Sequence, residues 1–204
     1  MGSLTGLLFW GGRGIGALAR LTMGMQEGGG AAGWFNRYTE RFFPLEVTAR
    51  QQHDIALADL KARLAEMAQN PAQTAAFFRE KFCSQWMEPT MGMLWNGALS
   101  EHIGAFGETA ARFFAKDHTV LETLLGAFQR ALYAFSAAGI IGMLRDRKRS
   151  GLCLLLPLIF FGGALYHLLF EAKSQYAFPY AVLLLPVAAM GICRIEDGLK
   201  GKRA

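Results

Sequence analysis

Metal-ligating and disulfide patterns are missing from this chain. Its three cysteines, Cys83, Cys153 and Cys193, are far apart and odd in number, with no CxxC or Cys/His spacing. That argues against a zinc site and a stapled secreted scaffold. Cys153 and Cys193 sit in or at the end of apolar runs, where cysteine behaves as a small hydrophobe. Charge is also scarce: Asp, Glu, Lys and Arg make up 18% of the 204 residues, against about 25% in an ordinary soluble domain. The shortage is local. Gly151 to Phe170 holds no charged residue, whereas Arg41 to Lys81 is as charged as a soluble helical protein. No basic stretch precedes Leu7-Leu8-Phe9-Trp10, so the first residues make a poor secretory signal.

A dinucleotide fold is excluded by what its glycine motif lacks. Gly12-Arg-Gly14-Ile-Gly16-Ala17 imitates a phosphate-binding turn, but no β-branched strand leads into it and no Tyr-x-x-x-Lys pair occurs. The net charge of +5 does not point to nucleic acid either. The sharpest basic cluster, Arg145-Asp-Arg-Lys-Arg149, lies in a short loop between apolar segments, a place explained by membrane orientation rather than phosphate binding.

What the chain has is helical pattern. Gly24 to Gly33, with five glycines, reads as a loop closing on Trp34-Phe35-Asn36-Arg37-Tyr38. From Pro44 to Gln69, Leu57, Leu60, Leu64 and Met67 recur three and four apart, predicting an amphipathic helix. Asn70-Pro71 reads as a cap followed by proline at the first helical position. The next helix, to about Met87, is expected to bury Ala75, Phe78, Phe82 and Trp86. Residues 1–20 carry no clear signal, and residues 21–121 read as an external helical region ending in an aromatic interfacial stretch.

Residues 122–204 read as a transmembrane module. Its apolar segments are Thr123 to Leu144, Gly151 to Phe170 and Ala177 to Cys193, the last with Pro179 and Pro186. Twenty residues at about 1.5 Å each cross roughly 30 Å of hydrocarbon. The fold class expected is thus an all-α membrane protein, an external helical segment followed by three transmembrane helices. Basic residues in Arg145 to Ser150 and from Arg194 onward put both on the cytoplasmic side of a multi-pass cell-membrane protein, C-terminus included. Arg130, in the first segment, is expected to snorkel to the outer headgroups.

The most informative polar cluster is at the outer boundary. His167 and Glu171 are four apart, and Lys173, Gln175, Tyr176 and Tyr180 follow. Polar groups around a cation there could hold a phosphate or sugar hydroxyls; an interfacial loop with an ion pair and aromatic anchors is the plainer reading. At this cluster, His167-Leu-Leu-Phe-Glu171-Ala-Lys-Ser-Gln-Tyr176-Ala-Phe-Pro-Tyr180 resembles the penultimate-loop signature of bacterial multipass membrane glycosyltransferases of the protein O-mannosyltransferase and aminoarabinose-transferase class. Met23-Gly-Met-Gln26, Gly33-Trp-Phe-Asn36 and Ser84-Gln-Trp86 with Glu88-Pro-Thr90 resemble further pieces in the expected order. The resemblance covers about residues 21 to 193.

That resemblance implies a polyprenyl-phosphate sugar donor as partner, together with the lipid bilayer. It implies Glu171, Lys173, Gln175 and Tyr176 as substrate-binding residues, Lys173 neutralising donor phosphate and Tyr176 hydrogen-bonding it. The family's catalytic acid belongs to a first external loop to which nothing here corresponds. No catalytic residue, metal or cofactor is therefore expected, and the chain resembles a C-terminal part, inactive alone. The alternative is a small non-enzymatic membrane protein whose external helical hairpin binds a partner.

Overall fold

The computed structural model describes residues 14–45, 47–94, 118–145 and 154–201. The Gly12-Arg13 start of the glycine motif, the interfacial stretch 95–117, the basic residues 147–149 and 202–203, and Cys153 fall outside them. The described residues are all-helical, with no strand among them. Helix α1 is Ala17–Gly24. Helix α2, Ala49–Gln69, begins later than the apolar pattern suggested, because Thr48 and Gln51 form a capping box. The Gln51 N–H donates to Thr48 Oγ1 at 3.2 Å, and the Thr48 N–H donates to Gln51 Oε1 at 2.8 Å. Helix α3, Pro71–Trp86, starts at the expected proline, and the Thr74 hydroxyl donates back to Met67 O at 2.7 Å.

The chain forms two units, one of residues up to Ser84 with Leu165–Lys173, the other of Gln85–Ala164 with the residues from Ser174. In the first, α1 packs on α2. The Gly16 N–H donates to Gln52 Oε1 at 2.7 Å, and the Thr22 hydroxyl lies 3.1 Å from Ala56 O. Two apolar clusters fill its interior: Ala19, Met23, Tyr38, Phe42 and Ala56, then Met25, Ala32, Leu60, Met67 and Phe77. Burying a large apolar side chain contributes about 1.5–3 kcal/mol each.

Both amphipathic stripes are rotated from their expected lines. On α2 the buried residues are Gln52, Ala56, Leu60 and Met67, while Leu64 is exposed. On α3, Phe77 and Lys81 are buried, whereas Ala75 and Phe82 face outward. Only Trp86 of the expected α3 face is buried. The loop 25–37 and the end of α1 lie against this side of α3: Ala32 packs in one cluster with Phe77, its N–H donates to Glu80 Oε1, and Lys81 donates to Gly24 O.

The second unit is built from α4, Thr119–Arg145, the first part of α5, Leu155–Leu169, and α6, Ala177–Gly201, which follows a 3-10 turn at Ser174–Tyr176. Glycine lets α4 and α6 approach backbone to backbone. A Cβ on Gly191 would lie 2.9 Å from Gly139 N and overlap Phe135 O; one on Gly139 would lie 3.3 Å from Gly191 N. Leu132, Ala181, Leu184 and Ala188 pack beside this crossing. Trp86 packs edge-on against Phe160 and Tyr180, with centroids 5.0 and 5.4 Å away, and Tyr133 donates to Trp86 O at 2.7 Å.

Two helices, α4 and α6, are long and apolar enough to cross a membrane. Helix α5, with 15 residues among those described, spans about 22 Å at ~1.5 Å per residue. Leu124, Phe128, Ile141, Leu158, Phe161, Leu185 and Ile192 all point outward. Apolar side chains turned out along such helices suggest a lipid surround. Arg130 is exposed and its guanidinium folds back over Gly126, toward the start of α4, the direction snorkelling requires. Arg194 and Lys200 lie on α6 itself.

Candidate functional site around Lys81 and the Phe170 to Lys173 run

The loop after α1 is held by α3. Ala32 N–H donates to Glu80 Oε1 at 3.1 Å, and Trp34 Nε1 donates to Ser84 Oγ at 3.0 Å. Asn36 closes the loop on itself, with Nδ2 donating to Glu27 O at 3.0 Å and Oδ1 accepting the Tyr38 N–H at 3.0 Å. At the centre is Lys81, 1% exposed. Its ammonium donates to Gly24 O, the last carbonyl of α1, where a cation also meets the negative end of the helix dipole. The Phe77 ring centroid is 5.8 Å from Nζ. No ion pair to Lys81 occurs among the described residues, and burial pushes its pKa down to about 8.

Two glycines make this arrangement possible. Gly33 has φ +71°, and a Cβ there would overlap the Lys81 stem and lie 2.8 Å from Gly24 O. Gly24 lies flat on the end of α5, where a Cβ would sit 2.6 Å from Phe170 O and 2.7 Å from Leu169 O. Gly33 O then accepts the Ala172 N–H at 2.9 Å. The run 170–173 is thereby fixed to the loop 25–37, and Lys81 is the side chain packed beneath both glycines.

Of the four sequence-derived site residues, Glu171 and Lys173 flank Ala172 in the first unit; Gln175 and Tyr176 lie in the 3-10 turn of the second. All four are half-buried. Lys173 makes no ion pair among the described residues, so it is not held by Glu171. His167 and Glu171 do meet, but through the backbone: the ring Nδ1 lies 2.8 Å from Glu171 O. In the second unit, Glu88 of the Glu88-Pro-Thr90 piece accepts from Thr90 N at 2.8 Å and Gly92 N at 2.6 Å, stapling a tight turn. Gln85 is fully buried with neither amide atom hydrogen-bonded, and Ser174 Oγ is likewise unsatisfied.

Sequence reasoning missed Lys81. Its available signal was the i, i+4 spacing from Phe77, which puts a lysine on an aromatic face. Chemically, the arrangement offers one half-buried cation, Lys173, and one carboxylate, Glu171, on a braced backbone. No cluster of three or more metal-type ligands occurs among the described residues. A comparison of the chain with known protein families, with curated proteins and with solved structures finds no match.

Proposed function

We propose that this chain is the C-terminal part of a membrane glycosyltransferase that uses a polyprenyl-phosphate sugar, and that it binds the donor without carrying the catalytic acid. The observation that carries this reading is the convergence of pieces distant in sequence. Gly24, Gly33 and Ser84 belong to three of the quoted pieces, and Phe170 to Lys173 belongs to a fourth. Hydrogen bonds and glycine-only contacts join them in one unit. Pieces kept only for their helical propensity would not need to meet. In this reading Lys173 neutralises the donor phosphate, and Glu171, Gln175 and Tyr176 also contribute to donor binding. Helices α4, α5 and α6 cross the cell membrane, with the α4–α5 loop and the C-terminal end in the cytoplasm.

The direct test is equilibrium binding of undecaprenyl phosphate to the chain in nanodiscs. Lys173→Ala should weaken binding about tenfold, the loss of one charge-assisted contact worth about 1.5 kcal/mol. Affinity unchanged by Lys173→Ala overturns the reading. A second reading, a non-enzymatic membrane protein with a partner-binding hairpin, draws on Leu64 and Phe82, left exposed on α2 and α3. It predicts no polyprenyl-phosphate binding at all.

A further inference from the structure

A cavity of about 610 Å³ lies between the starts of α1 and α2, within the first unit. Roughly 300–1,000 Å³ is the size of a site for a small organic ligand. Gly14 and Gly16, two glycines of the motif that failed as a dinucleotide turn, are part of its lining. One hydrogen bond ties the two helices together here: the Gly16 N–H donates to Gln52 Oε1 at 2.7 Å. Phe170 forms a further wall, its ring stacked on Tyr166 with centroids 4.5 Å apart.

The polar side chains of the described lining are Arg50, Gln52 and His53, and none of its residues is acidic. Gln52 is only 9% exposed, and with its oxygen held by Gly16 its amide nitrogen has no partner among the described residues. Arg50 and His53 make no hydrogen bond or ion pair among the described residues either. The first turn of α1 adds backbone donors. No side chain caps that helix, and its first internal bond runs from the Arg20 N–H to Gly16 O at 3.3 Å. The N–H groups of Ala17, Leu18 and Ala19, all lining residues, are thus left without a helical partner. Such a helix start favours an anion. The large apolar side chains of the lining are Leu18, Leu21 and Phe170. Donors at one place and apolar walls beside them match an anion with a hydrocarbon chain.

We propose that this cavity binds a single-chain amphiphile with a carboxylate head, a medium-chain fatty acid in class. The head lies on Arg50, the Gln52 amide nitrogen and the start of α1, and the chain runs along Leu18, Leu21 and Phe170. Arg50 is the only residue of fixed charge in the described lining, which suits a monoanion better than a phosphate monoester with its charge of nearly two. The proposal does not rest on glycosyl transfer. The test is photolabelling of the full chain in nanodiscs by dodecanoic acid carrying a terminal diazirine, with the labelled residues located by mass spectrometry. Label should fall on α1 and be displaced by dodecanoate but not by dodecanol. Arg50→Gln, at an exposed position of α2, should reduce labelling of α1 about tenfold, the loss of one charge-assisted contact. Ala17→Phe, which fills the cavity from an exposed position, should abolish it, and thermal unfolding should show both variants folded. Labelling of α1 that is unchanged in Arg50→Gln, or displaced equally by dodecanol, overturns the proposal. So does displacement by undecaprenyl phosphate at lower concentration than dodecanoate, since the cavity then takes the sugar carrier instead. Label confined to α4, α5 and α6 overturns it too, because the fatty acid is then only dissolved in the bilayer.

Discussion

Lys81 and Gly33 fill one another's space: a Cβ on Gly33 would lie 2.6 Å from Lys81 Cδ, while Gly33 holds φ at +71°. A side chain at position 33 is opposed both by local sterics and by a neighbour with no room to retreat. Gly33→Ala should therefore destabilise the first unit by about 2–4 kcal/mol, from left-handed strain and overpacking together. Gly29→Ala is the control. Its nearest contact would be an ordinary 3.6 Å to Phe35 O, and it should be close to neutral. Thermal unfolding of both variants checks the contrast.

The buried ammonium of Lys81 gives stability a pH dependence whose sign is unusual for a lysine. Burial lowers its pKa from 10.5 to about 8. Below pH 8 the lysine is charged in both states, and the cost of burying that charge is fully present. Between about pH 8 and 10.5 the folded protein releases its proton first, and stability rises with pH. The relief is about 3 kcal/mol at most, from roughly 1.4 kcal/mol per pKa unit. Subtracting the profile of Lys81→Met from that of the native chain should isolate a rise across this window. A flat difference would show the ammonium to be better solvated than its burial implies.

At the α4–α6 crossing, Gly191→Ala and Gly139→Ala should each cost about 1–3 kcal/mol, because the added methyl forces apart backbones now in contact. Gly162→Ala and Gly198→Ala meet nothing within 4 Å and should be neutral or stabilising by up to about 1 kcal/mol through helix propensity. Unfolding in detergent micelles separates the two pairs.

Gln85, fully buried with both amide atoms unsatisfied, bears a desolvation cost with no hydrogen bond to offset it. Gln85→Met, similar in volume, should raise stability by about 1–3 kcal/mol. A fall in melting temperature would mean that the amide is satisfied by a bound water or ligand.

Helix existence was legible in the sequence wherever a local device fixes it, as at Asn70-Pro71, where cap and proline act within one turn. The start of α2 was not, because the periodicity from Pro44 runs smoothly past Thr48, and a reciprocal cap outweighs it. The buried face of α3 was misjudged by about one residue, roughly 100° of rotation, and that of α2 by less. Counting leucines and phenylalanines assumes that the core is apolar throughout. Here Gln52 and Lys81 are buried against the two ends of α1, where the Gly16 N–H and the Gly24 carbonyl take them as partners, and no spacing rule announces that need. For the same reason the sequence singled out Glu171 and Lys173 by their chemistry but gave no hint of the brace behind Ala172. Of the Gly151 to Phe170 span, the described helix covers Leu155–Leu169, and residues 151–153 lie outside the described ones.

The bond from Ala172 N to Gly33 O closes a loop of roughly 140 residues, and that has a consequence for biogenesis. Closure over such a length costs conformational entropy that only late contacts offset. The N-terminal half emerges from the ribosome first, but its glycine loop waits for its last piece until the second hydrophobic helix has been synthesised. Until then Gly24 and Gly33 have Lys81 beneath them but lack the Phe170 to Ala172 backbone. Maturation of the first unit is thus timed by translation of the membrane segment, and a chain arrested before residue 172 would leave a half-built fold for chaperones or proteases to find.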